Sequence, residues 1–121
     1  MSDGRDAGEP ESGHELLRIL GALSSPHRLR IVAALSDDAV HVSGLARAVG
    51  LGRPLVHMHL KRLEAAGLVH GRLELSEDGK AMRFYEVVPF AIHLTPERVA
   101  ELARLLDSDE TTSTHEQKET P

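Results

Sequence analysis

The chain has 121 residues, no cysteine, three aromatic residues (Phe84, Tyr85 and Phe90) and a formal net charge of −5 at pH 7. That length suits one domain with one modest core, and with so few aromatics the core has to be built from Leu, Val, Ile and Ala. The missing cysteines exclude disulfides, thiolate metal sites and cysteine nucleophiles together.

In chain order, residues 1–12 are Gly, Pro, Ser and acids, and read as a disordered acidic tail. They have no basic n-region and no apolar h-region, so no signal peptide is expected, and no apolar run approaches a membrane span. A cytoplasmic protein without a membrane partner is the expectation. A first helix is predicted from Gly13, with Ser12 and Glu15 at capping-box spacing and Leu16, Ile19, Leu20 and Leu23 as its apolar stripe, widened by Leu17. Ser25-Pro26 opens a second helix over 26–35, with Leu29, Val32, Ala33 and Leu35 expected to point inward. His41-Val42 is expected to form a short edge strand. Ser43 is read as the N-cap of a short helix over 44–49, and Gly50-Leu51-Gly52 as a tight turn. A longer helix then runs from Pro54 to Ala66, with Val56, Leu60 and Leu63 as its inner stripe and Gly67 as its C-terminal glycine. Two strands follow, 68–75 and 81–88, joined by a turn that contains Asp78-Gly79, a hairpin signal. Thr95-Pro96-Glu97 opens a last helix over 96–107, and 108–121 reads as a second disordered acidic tail.

The order α, α, (β), α, α, β, β, α describes a mainly α protein with a small β-hairpin: a winged helix-turn-helix domain over 13–107. Charge is distributed to match. Residues 26–72 hold seven Lys or Arg, three Asp or Glu and five His, whereas 1–15 and 107–121 each carry five acids against one base. A basic centre between acidic ends suits a core that meets phosphates. The outer face of the helix from Pro54 would present Arg53, Leu55, His57, Met58, Lys61 and Arg62. Arg53, at its N-terminal end, is placed to read a guanine edge. Lys61 is expected to meet phosphate, and Leu55 and Met58 to touch thymine methyl groups. Ser43 and Arg47 on the preceding helix, and Lys80 and Arg83 on the wing, complete the expected DNA-binding set. Glu74, Glu77 and Asp78 make the wing tip acidic, so a small contribution from the wing is expected.

LSSPHRLRIVAAL (23–35), LARAVGLGRPLVHMHLKRLEAAGLV (45–69) and RFYEV (83–87) resemble the ArsR-type, or arsenic-repressor, family of winged helix-turn-helix regulators. The resemblance implies a homodimer joined through the first and last helices, with Leu16, Leu17, Leu20, Val99, Leu102 and Leu106 as interface residues, and binding of double-stranded DNA at an inverted-repeat operator by helix 54–66. Gly52 stands where the family usually has a side chain that caps the helix. Many members sense metals, but here the sensor cysteines are missing. The last helix offers Glu97, Glu101 and Asp107 without a histidine, and His57 and His59 diverge by about 200° on their helix. No metal site, no cofactor and no enzyme activity are expected, and no small-molecule effector is legible. The competing expectation is a winged-helix protein-interaction module without specific DNA binding, favoured by the acidic wing and by Leu55 and Met58.

Overall fold

A computed structural model describes residues 9–113, with side chains over 9–106. Its elements are α1 (Gly13–Leu23), α2 (Pro26–Leu35), β1 (Val40–His41), α3 (Val42–Val49), α4 (Arg53–Ala65), β2 (Val69–Leu75), β3 (Ala81–Val87) and α5 (Pro96–Ser113). The chain forms two compact units. The larger spans residues 19–89; the smaller combines the chain up to Arg18 with the chain from Phe90. Among the described residues no helix is long and apolar enough to cross a membrane.

The larger unit holds α2 to β3. Its three strands run antiparallel in the order β1-β3-β2. Ile31, Leu35, Leu45, Val56, Leu60, Leu63, Leu68 and Val69 are buried, and Tyr85 is the aromatic residue among them. The aliphatic core expected from composition is therefore what forms. Ser25 caps α2 by accepting the Arg28 amide at 3.3 Å. The buried face of α2 differs from the expected one. Ile31 and Leu35 point inward, whereas Leu29 is 54% exposed and Ala33 is also exposed. The reason is Arg28, which takes the next place on the same stripe. Its Nε donates to the Ala22 carbonyl at 2.7 Å, so a polar residue occupies a position where an apolar one was sought.

The strand before α3 is Val40–His41, one residue earlier than expected, and α3 starts at Val42 rather than 44. Its cap is His41, not Ser43: His41 Nδ1 accepts the Gly44 amide at 3.0 Å, doing with an imidazole nitrogen what a Ser oxygen does. The β2–β3 hairpin closes over 76–80, with the Ser76 amide donating to the Lys80 carbonyl at 2.8 Å and Gly79 at φ +87°. The Ser76 hydroxyl donates to Asp78, which with the Lys80 amide holds that carboxyl below its ordinary range.

In the smaller unit, Ser12 caps α1 by accepting the Glu15 amide at 3.0 Å. The return bond of the capping box goes elsewhere: Glu15 Oε1 accepts the Glu11 amide at 3.1 Å. Thr95 caps α5 through the Arg98 amide, and Arg98 Nη2 donates to the Pro10 carbonyl at 2.8 Å. Pro10 is buried, so the last residues of the expected N-terminal tail are placed; residues 1–8 lie outside the described residues. Likewise α5 continues to Ser113, six residues past the expected end, and 114–121 lie outside the described residues. Gly13 and α5 meet at a distance only glycine permits: a Cβ there would stand 2.6 Å from the Leu102 carbonyl oxygen and against the Leu106 side chain.

Candidate nucleic-acid interface

Three glycines and a proline shape the segment from α3 to α4. Gly50 ends α3 in the left-handed region, φ +72°, with its amide on the Ala46 carbonyl at 2.8 Å. Leu51 shares that acceptor at 3.1 Å, which tightens the turn. Gly52 is extended and precedes α4 without a side-chain cap, and Pro54 sits in the first turn, where its missing N–H costs nothing. At the other end Gly67, φ +78°, closes α4. The Leu68 amide reaches back to the Leu63 carbonyl at 2.9 Å, the six-to-one bond of a Schellman motif.

This frame fixes which way α4 faces. Val56, His59, Leu60 and Leu63 are its buried side chains. Arg53, Leu55, His57, Met58, Lys61 and Arg62 are all exposed, as the spacing required. Ser43, Arg47 and Arg53 come together around the turn: with Gly50 and Gly52 they line an open depression of about 490 Å³. From Ser43 to Leu63 the sequence has no Asp or Glu. Among the described residues, Arg47, Arg53, Lys61 and Arg62 take part in no salt bridge. Among the described residues, then, these four cations have no ion-pair partner.

Behind α4 lies a polar cluster that sequence reasoning did not place. His59 Nδ1 is 3.3 Å from Arg28 Nη1, and the His27 and His59 rings are 5.5 Å apart. Burial, then the charges of Arg28, His27 and Arg62, push the His59 imidazole below its ordinary pKa. A neutral His59 can accept from Arg28; its only sequence signal was its position between the inner and outer faces of the helix.

The wing is a separate place. Arg72 is neutralised by Glu74 at 2.8 Å and Glu86 at 2.6 Å, while Lys80 and Arg83 are exposed at the hairpin and do not line the α3–α4 depression. Leu73 and Leu75 are also largely exposed, a feature not anticipated. Among the residues expected to join two copies, Leu17, Leu20 and Val99 are exposed and Leu106 is half-buried. Leu16 and Leu102 are buried within the chain, 7% and 1% exposed. Among the described residues no group of three or more His, Cys, Asp or Glu side chains is arranged to hold a metal ion.

Residues 25–70 match the family model for bacterial regulatory proteins of the arsR family. An uncharacterized HTH-type transcriptional regulator from Methanocaldococcus jannaschii is 33% identical over 88 residues, covering 73% of this chain and 92% of that protein. The HTH-type transcriptional repressor SmtB of Mycobacterium tuberculosis is 43% identical over 61 residues, half of this chain and 43% of the repressor. Among solved structures, the homodimeric winged helix-turn-helix DNA-binding domain of a possible ArsR-family transcriptional regulator from Mycobacterium bovis superposes with a TM-score of 0.56 at 25% identity, covering 88% of this chain and 89% of that one.

Proposed function

The chain belongs to the arsR family of bacterial regulatory proteins, and from that premise we propose that it is a homodimeric, sequence-specific binder of double-stranded DNA that lays α4 in the major groove. One observation carries the reading. The inner stripe of α4 is buried while its outer face is open and carries Arg53, Lys61 and Arg62 against one exposed carboxylate, Glu64, near the C-terminal end of the helix. In this arrangement the depression at the turn takes a backbone phosphate. Ser43 donates its hydroxyl, Arg47 and Arg53 supply charge, and the uncapped N-terminus of α4 adds its partial positive charge. Lys61 and Arg62 meet phosphate further along the groove, and Arg53 also reaches the edge of a guanine. Lys80 and Arg83 are left to steady the hairpin against the backbone, because Arg72 is already paired.

Leu17, Leu20 and Val99 serve the contact between two copies, the state of the M. bovis domain. A twofold dimer reads an inverted repeat with half-sites about 34–36 Å apart, or a multiple of that spacing. Repression by occupying such an operator is the mode carried over from the M. tuberculosis relative.

The test is recovery of genomic fragments by the purified protein, followed by affinity measurement on the enriched duplex. A discrete inverted repeat is expected, with binding that weakens steeply with salt. Arg53→Ala with Lys61→Ala should lose about 1–3 kcal/mol for the base-reading contact, together with part of the salt slope. A double variant that binds the same duplex equally well would remove α4 from the interface. Recovery of no enriched sequence would favour a protein-interaction module instead.

A further inference from the structure

The outer face of α4 is not uniform. At about 100° per residue, Pro54, Met58 and Lys61 fall opposite the buried side formed by Val56, His59, Leu60 and Leu63. Leu55 and Arg62 flank them on one edge and His57 and Glu64 on the other. Along the axis the face changes character. Its first two turns hold an apolar strip, with Leu55 48% and Met58 39% exposed, beside Arg53 and His57; the next turn is cationic, with Lys61 and Arg62.

The N-terminal residues of a helix in the major groove are the ones that reach base edges. Those edges present donors and acceptors and a single apolar group, the C5-methyl of thymine. Set against Leu55 and Met58, the polar edge of a G·C pair would lose its water without gaining a partner, which is costly. A methyl group would instead bury apolar surface on both sides. A protein surface is a poorer fit, because Arg53, Lys61 and Arg62 surround the apolar strip and no carboxylate lies between residues 43 and 63.

We propose that Leu55 and Met58 are specificity-determining residues that read pyrimidine C5-methyl groups, so that each operator half-site carries thymines opposite the first two turns of α4. This rests on the reading of α4 as the groove-entering helix. The same methyl group occurs on 5-methylcytosine, whose guanine partner adds the polar edge that Leu55 and Met58 cannot satisfy, so thymine is the expected source.

The full chain is first used to enrich a sequence from a library of random duplexes. Each thymine of the enriched half-site is then replaced by deoxyuridine, which deletes the methyl and keeps the base pair. Removing a contacted methyl should weaken binding about fourfold. The double variant Leu55→Ser, Met58→Gln, altered only at exposed positions, should bind the thymine and uracil duplexes equally. A duplex with 5-methylcytosine paired to guanine at those positions should bind more weakly than the thymine duplex, and tighter binding would overturn the assignment to thymine. An unchanged affinity for every uracil duplex would overturn methyl reading, as would an equal uracil penalty in the double variant. Enrichment of no sequence at all would instead sink the groove reading beneath it.

Discussion

Gly71→Ala is the substitution whose cost the geometry defines best. Gly71 lies opposite Tyr85 in the β2–β3 ladder. A Cβ on Gly71 would stand 2.8 Å from Tyr85 Cε2, 3.2 Å from Cζ and 3.3 Å from Cδ2. Two effects oppose each other. Replacing a strand glycine by alanine gains roughly 0.5–1 kcal/mol by restricting the unfolded chain. Overfilling a packed site costs about 1–3 kcal/mol. The ring decides the balance. Tyr85 is only 6% exposed, so it cannot swing clear without breaking core contacts, and the clash should win by about 1–2 kcal/mol. That is a sizeable share of a stability of roughly 5–15 kcal/mol. Urea unfolding of the wild type and Gly71→Ala gives the single cost. Repeating the pair in a Tyr85→Leu background isolates the ring, because there the alanine should cost nothing or stabilise slightly. A neutral or stabilising Gly71→Ala in the wild type, or an equal loss in both backgrounds, would refute the claim that the ring occupies the missing side chain's place.

Other consequences are as direct. Leu60→Ala, which empties a fully buried position on α4, should lower unfolding free energy by about 2–5 kcal/mol in a denaturant titration. Gly67→Ala places a Cβ on a left-handed residue and should cost about 1–2 kcal/mol by the same measurement. Gly13→Ala pushes against the Leu102 carbonyl, so α5 has to shift on α1; sedimentation should show a weakened dimer. For pH, unfolded His59 titrates near its ordinary value of 6.5 while the folded residue titrates lower. Between those two values the unfolded state binds more protons, so stability falls as pH drops from about 6.5 toward the lowered value and is insensitive to this group above it. The urea midpoint should therefore fall less between pH 7.5 and 5.5 in His59→Gln than in the wild type.

What the sequence made legible was local punctuation. Gly50 and Gly67 end α3 and α4 because each holds a positive φ that glycine adopts without strain, and Val56, Leu60 and Leu63 at helical spacing set the orientation of the face between them. The Asp78-Gly79 turn placed the hairpin for the same reason. The misplacements share a different cause: a side chain acting outside its usual role. His41 caps α3 in place of Ser43, so the helix starts earlier. Arg28 sits on the stripe of α2 and bonds inward, so a purely apolar pattern selected Leu29 on the wrong side. Leu16 and Leu102 lie on apolar stripes, but periodicity cannot divide such a stripe between the chain's own core and the surface of a second copy. The outer face of α4 was readable residue by residue; the depression gathering Ser43, Arg47 and Arg53 depends on the angle between two helices, which no local pattern records.

Because the chain has no cysteine, the place of α4 in the complex can be measured with a single introduced thiol. Met58→Cys puts it at the centre of the exposed face, and Asp38→Cys puts a control in the exposed loop after α2. Alkylation rates are compared with and without saturating operator duplex. Strong protection of the thiol at 58, with none at 38, is the expected result. A thiol at 58 that reacts as fast in the complex as in the free protein would mean that α4 does not lie in the groove.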